Sequence, residues 1–174
     1  AAQIKAGFKG GLNIANVHNS MTNDFTSLVA YNFGFVAKYS AEDSKTGVTI
    51  EALLSQKGFK GLLIPSGTTA YSLTYVSIPA LMEYRPAKAL YVQVGPEFNY
   101  LVNAGMKNST LKKSMLDKYN KFDFALAAGV GYNVFKNLNL EVRYSNGLNQ
   151  LSKQPDITGK YYNRVFHFNA AYLF

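Results

Sequence analysis

Two histidines, His18 and His167, are the residues of this sequence best suited to metal binding or acid–base catalysis. A metal site needs further ligands, and the sequence places no Asp, Glu or His near either histidine at a matching spacing. Nucleophilic hydrolysis needs a serine, a histidine and an orienting acid beside the substrate. The chain has no cysteine, which excludes thiolate metal sites and disulfides. We therefore expect no catalytic site, no metal and no cofactor.

The segment that contains His167 is one of eight in which apolar and polar residues alternate. Near the start of the chain, even positions from Ala2 to Ile14 are apolar or small, and odd positions from Gln3 to Asn13 are polar or glycine. A strand places such sets on opposite faces, whereas a helix would scatter them. The pattern recurs seven more times, which predicts eight β-strands. On this pattern His167 belongs to the polar face.

Proline is rare inside a sheet because it cannot donate a hydrogen bond to the neighbouring strand. Pro79 lies within the fourth alternating segment and Pro96 within the fifth. We predict a β-bulge at Pro79 and a second distortion of the sheet at Pro96.

The connections between these strands alternate in length. The short ones are AEDSKTG, RPAK and FKN, and the long ones are ANVHNSMTNDFT, KGFKGLLIPSGTTAYS, NAGMKNSTLKKSMLDKY and NGLNQLSKQPDITGKYY. Short periplasmic turns and long external loops between an even number of antiparallel strands are typical of outer-membrane barrels. This arrangement places both termini on the periplasmic side.

Charge is confined to the polar face of the strands, apart from Arg164. Acids and bases nearly cancel there, as in a closed interior filled by ion pairs, and an eight-stranded barrel is just wide enough to be filled by side chains. The predicted interior network consists of Lys5, Lys9, Lys38, Glu51, Glu83, Arg85, Glu97, Asp123, Glu141 and Arg143.

The apolar face carries the features of a lipid-facing surface. Mean hydropathy is only −0.08, and we find no apolar run long enough for a helical span. Outward aromatic residues fall near both predicted interfaces, as in the girdles of membrane barrels. We predict an all-β fold, an eight-stranded antiparallel up-and-down transmembrane β-barrel that forms one domain over residues 1–174.

Four stretches resemble the PorT-like outer-membrane barrels of Bacteroidota: IKAGFKGGLNIANV, YVSIPALMEYRP, LYVQVGPEFNYLV and DFALAAGVGYNVFKNLNLEVRYSNGL. The architecture is more distantly similar to the OmpA and OmpX transmembrane domains. The resemblance implies a bacterial outer-membrane location. It also implies that the alternating aromatics of the last strand form the signal for the barrel-assembly machinery, namely Phe166, Phe168, Tyr172 and Phe174.

The net charge of +8 comes mainly from the connections. The predicted contact residues are Lys107, Lys112, Lys113, Lys118, Lys121, Lys160 and Arg164. On an external surface they would meet lipopolysaccharide phosphates or partner proteins. Nucleic acid is not expected, because stacking aromatics would have to accompany the basic residues. We expect a non-enzymatic surface protein; the alternatives are a subunit of an envelope complex such as a secretion machine and a lipid A-modifying enzyme.

Overall fold

The computed structural model describes residues 3–19, 26–41, 45–63, 67–107, 112–114, 120–149 and 161–174. No helix in these ranges is long and apolar enough to cross a membrane. The strands are β1 (Gln3–Asn19), β2 (Thr26–Ser40), β3 (Thr46–Leu63), β4 (Gly67–Tyr84), β5 (Leu90–Lys107), β6 (Lys112–Ser114), β7 (Phe122–Asn133), β8 (Leu138–Gly147) and β9 (Tyr161–Leu173).

Eight of these strands close into an antiparallel barrel. Each long strand pairs with its neighbours in the chain, β1 pairs with β9, and β4 pairs with β5, so that no long strand is left with a wholly free edge. The three-residue β6 adds only to the far end of β5, beyond the residues that pair with β7. The predicted eight-stranded antiparallel barrel is confirmed.

The period of two seen in the sequence sorts side chains between the inside and the outside of the barrel. In β2, Phe35 is 64% exposed whereas Val36 is 3% exposed. The described side chains of the long strands repeat this contrast: the buried set contains charged, amide and hydroxyl side chains together with apolar ones such as Leu73, Leu81 and Leu101, and the exposed set is largely apolar. The core of this protein therefore contains many polar residues beside apolar ones, and its outer surface is mainly apolar.

The barrel has two unlike ends. The start of β1, the end of β9 and the strand ends that the short connections 41–45, 85–89 and 134–137 join lie at one end, which we call the turn end. The opposite strand ends lie at the other, the loop end. The rim of the loop end is uneven, because β3, β4 and β5 have 18 residues each whereas β7 has 12 and β8 has 10.

The second long connection is shorter than the sequence indicated. Most of the predicted loop KGFKGLLIPSGTTAYS belongs to β3 and β4, which remain paired as far as Leu63 and Gly67. The alternation of apolar and polar residues fades there, but backbone hydrogen bonding between the two strands does not depend on it. The ladder therefore continues beyond the point at which the side-chain pattern stops.

The predicted bulge at Pro79 is wrong. Pairing of β3 with β4 is interrupted opposite Pro79, yet the register is the same on both sides of the interruption, so no residue has been inserted. Pairing of β4 with β5 likewise pauses opposite Pro96 without a change of register. The register shifts lie between Ser27 and Asn32 and between Thr74 and Tyr75. A lost hydrogen bond is thus enough to accommodate each proline.

Candidate functional site

The centre of the barrel is occupied by an ionic cluster of four side chains from three strands. The guanidinium of Arg143 donates to both carboxylate oxygens of Glu51, at 2.9 and 2.6 Å, and to Glu141 at 2.5 Å. The ammonium of Lys9 donates to the same two carboxylates, at 2.7 and 2.5 Å. Two cations thus neutralise two anions, and the cluster joins β1, β3 and β8 across the lumen.

A second network lies closer to the loop end. Lys57 Nζ donates to Glu97 Oε1 at 2.8 Å and to Asn99 Oδ1 at 3.0 Å. The Ser145 hydroxyl lies 2.8 Å from Glu97 Oε2 and 3.0 Å from His167 Nε2. His167, as expected, belongs to this interior polar network, and its Nδ1 lies 2.7 Å from Asn13 Oδ1.

A third group lies towards the turn end. The Glu83 carboxylate accepts from Lys38 Nζ at 3.0 Å and from Thr49 Oγ1 at 3.1 Å. Arg85 approaches the other oxygen of Glu83, with Nη2 at 2.7 Å and Nε at 2.8 Å. Lys38 Nζ also lies 3.9 Å from the centre of the Tyr91 ring. Glu83 therefore binds two cations inside the barrel, close to the turn end.

The predicted interior residues divide into two groups. Among the described residues, all of them take part in ion pairs except Lys5 and Asp123. Asp123 instead accepts a hydrogen bond from Asn163 Nδ2 at 3.3 Å. Lys57 was missing from the predicted network, although its position on the polar face of its strand was a signal that placed it inside.

Ser145, His167 and Glu97 contain the groups of a hydrolase but not its arrangement. In a catalytic triad the imidazole stands between the serine and the acid, whereas here Ser145 stands between His167 and Glu97. Each of the three side chains is at most 4% exposed. In the described part of the chain, no three His, Cys, Asp or Glu side chains are placed to hold a metal ion. The three side chains thus form part of the hydrogen-bond network inside the barrel.

The loop end brings together part of the predicted basic set. Lys107 of β5 stands opposite Lys112 of β6, and Lys113 is the next residue of the same short ladder. Lys121 and Arg164 have exposed side chains. Lys118 and Lys160 lie outside the described residues.

Comparison with known proteins agrees with this architecture. The model of the family described as outer membrane protein beta-barrel domain matches residues 1–153. This chain belongs to that family. Among curated proteins no sequence match was found. The protein is thus a bacterial outer-membrane β-barrel.

Solved structures of similar fold include other small outer-membrane barrels. Neisserial surface protein A (NspA) superposes with a TM-score of 0.62 at 12% identity, over 100% of this chain and 99% of that chain. Ail, the attachment invasion locus protein of Yersinia pestis, gives a TM-score of 0.52 at 19% identity, over 98% of both chains. At these identities the likeness concerns the fold.

Membership of the outer-membrane barrel family accounts for the exposed apolar surface. Outward aromatics pair across neighbouring strands, with ring centres of Tyr100 and Phe122 5.1 Å apart and those of Tyr144 and Phe166 4.8 Å apart. The outer surface between the aromatic girdles also carries Phe35. Phenylalanine has no polar group and can lie within the hydrocarbon layer at any depth.

Three of the four predicted assembly-signal residues lie on the outer face of β9, and the fourth, Phe174, directly follows this strand. Phe166, Phe168, Tyr172 and Phe174 are 46–68% exposed. The ring of Phe174 lies 5.9 Å from that of Phe8, and its backbone N–H donates to the carbonyl of Ala6. The C-terminal residue of this outer-membrane barrel is therefore fixed to β1, at the seam between the first and last strands.

Proposed function

We propose that this protein is a non-enzymatic outer-membrane barrel whose loop end faces outward and binds the phosphate groups of lipopolysaccharide. The observation that carries the proposal is the ladder of β5 and β6, in which Lys107 stands opposite Lys112 and Lys113 follows. Like charges placed directly opposite each other destabilise a pair of strands. A bound anion would offset the cost of this register.

Arg164 supports the same orientation. Among described strand side chains on the outer face, it is the one charged residue, and it lies towards the loop end of β9. A long cationic side chain at the edge of the hydrocarbon layer reaches towards phosphate head groups. Lipopolysaccharide phosphates in the outer leaflet would lie within its reach.

The absence of enzymatic activity is part of the proposal. Ser145 and His167 are enclosed within the barrel, whereas the acyl chains of lipid A would lie outside it. Lipid A profiles of cells with and without the protein test this point. Identical profiles are expected, and a change in acylation would favour a lipid A-modifying enzyme.

The orientation can be tested by labelling because the chain has no cysteine of its own. A Lys121→Cys variant at the loop end should react with a membrane-impermeant maleimide on intact cells. A Lys136→Cys variant at the turn end should react only after the outer membrane is permeabilised. The reverse pattern would overturn the proposed orientation and the periplasmic placement of both termini.

Binding is tested with the protein in nanodiscs and lipopolysaccharide captured on a sensor surface. The Lys112→Gln/Lys113→Gln variant should bind at least about tenfold more weakly, because two charge-assisted contacts are lost. Lys45→Gln, a change of the same kind at an exposed lysine of the turn end, is the matched control. Sucrose octasulfate, the heparin analogue crystallised with Ail, serves as a competing polyanion. An unchanged affinity of the double variant, together with no inhibition by sucrose octasulfate, would contradict the proposal.

The alternative suggested by the PorT-like resemblance predicts a different result. A subunit of a secretion machine would be recovered with a stoichiometric protein partner from gently solubilised membranes. Such a partner, together with an unchanged affinity for lipopolysaccharide in the Lys112→Gln/Lys113→Gln variant, would favour the envelope complex.

A further inference from the structure

The turn end of the barrel contains a cavity that none of the functions considered above uses. Its volume is about 460 Å³, and it opens where the lumen meets the short connections. Its lining includes five cationic side chains and no carboxylate among the described residues: Lys5, Lys38, Arg85, Lys88 and Lys136. We call this cavity the basic cup.

A buried carboxylate compensates only part of the positive charge of the basic cup. Glu83, whose side chain is 1% exposed, binds both Lys38 and Arg85. Among the described residues, no carboxylate lies within ion-pair distance of Lys5, Lys88 or Lys136. Three ammonium groups therefore line a concave site that has one buried counter-ion.

The deepest cation is fixed before any ligand arrives. Lys38 is 5% exposed, held by Glu83 at 3.0 Å and by the ring of Tyr91 at 3.9 Å from the ring centre. Lys88 and Lys136 belong to the connections between strands and are exposed. The cup thus combines a fixed buried cation with exposed cations at its rim, and a preorganised charge reduces the entropy lost on binding.

The chemistry of the lining defines the class of ligand. Lysines act as point charges that attract compact oxyanions, whereas planar recognition of a carboxylate needs an arginine that is free to bind it. Arg85 is already engaged by Glu83. We propose that the basic cup binds a phosphate group, supplied either by a soluble phosphate compound or by the head group of an anionic phospholipid.

The test is calorimetric titration of sodium pyrophosphate into the protein in zwitterionic nanodiscs at low salt. Saturable binding is expected, and Lys88→Gln/Lys136→Gln should weaken it at least about tenfold. Both residues are exposed, so the variant should fold, which the gel shift on heating verifies. Lys45→Gln, a change at an exposed lysine of the turn end that does not line the cup, is the matched control and should leave binding unchanged. No saturable heat with the unmodified protein, or equal binding by the double variant, would overturn the proposal.

Two further arms complete the experiment. Nanodiscs with phosphatidylglycerol distinguish the two sources: apparent pyrophosphate affinity should fall if a lipid head group occupies the cup and stay unchanged if the ligand is soluble.

The connection 42–44, which lies outside the described residues, contains Glu42 and Asp43. Glu42→Gln/Asp43→Asn removes negative charge at this end and should leave binding equal or tighter. Weaker binding in that variant would contradict an anion site.

Discussion

Glu51 and Arg143 are 92 residues apart in the chain and meet inside the barrel through two hydrogen bonds of 2.6 and 2.9 Å. Both residues are at most 2% exposed. Two parallel N–H···O bonds between a guanidinium and a carboxylate fix the relative position of the strands that carry them. Here those strands are β3 and β8, which are not neighbours in the sheet. The pair therefore ties together parts of the wall that backbone pairing does not connect.

We expect Glu51→Gln to destabilise the folded barrel by about 3–5 kcal/mol, because the two buried cations Arg143 and Lys9 would be left with a single anion, Glu141. The free energy of unfolding is measured by reversible urea titration in lipid vesicles. The double variant Glu51→Gln/Arg143→Met should cost less than the sum of the two single changes. Additive costs would show that the pair contributes no coupling energy.

Leu126→Arg should destabilise the protein by about 2–4 kcal/mol, since Leu126 is half exposed on the outer face and would place a charge in the hydrocarbon layer. Lys121→Glu and a charge change at Lys112, both at the loop end, should have little effect on stability. Comparable losses for Leu126 and the loop lysines would contradict the assignment of the outer face to lipid. Urea titration in vesicles is again the measurement.

Gly131→Ala should cost about 1–3 kcal/mol through overpacking. A Cβ atom at Gly131 would collide with the ring of Tyr91, which packs against this glycine inside the barrel. Gly105→Ala is the matched control, because a Cβ at Gly105 would have no described atom within 4 Å. The further change Tyr91→Ala should cost less in the presence of Gly131→Ala than alone. Equal stability of the two alanine variants would refute this packing.

Phe174→Gln should reduce the amount of barrel assembled in cells if the last strand is the signal for the assembly machinery that the PorT-like resemblance implies. Phe135→Gln is the control, since Phe135 lies in a connection and is as exposed as Phe174, each at 68%. The readout is the heat-modifiable band on gels of outer membranes, because a closed barrel resists SDS until heated. Equal band intensities for the two variants would argue against a C-terminal signal.

The direction of each side chain could be predicted from sequence, because strands alternate with a fixed period of two. Val36 and Phe35 illustrate this: adjacent residues lie on opposite sides of the wall. The partners of interior charges could not be predicted in this way. Lys57 meets Glu97, 40 residues away, and this meeting depends on the stagger and closure of the barrel, which no local pattern encodes.

The ends of the strands could not be predicted from the alternation of side chains either. β3 continues to Leu63 because β4 offers backbone partners up to Gly67, whatever the side chains are. The error at Pro79 has the same origin, since a ladder can omit a hydrogen bond and keep its register. Side-chain periodicity reports which face is buried, whereas strand length is decided by the neighbouring backbone.

The unequal strand lengths give the molecule a high side and a low side. The eight-residue difference between β5 and β8 corresponds to about 26 Å of extended chain. A large molecule that binds the loop end meets the longer strands β3, β4 and β5 on one side of the barrel and the shorter strands β7 and β8 on the other. On the described strands alone, a rigid ligand that rests on both sides would be tilted relative to the barrel axis and would have one preferred rotation about it.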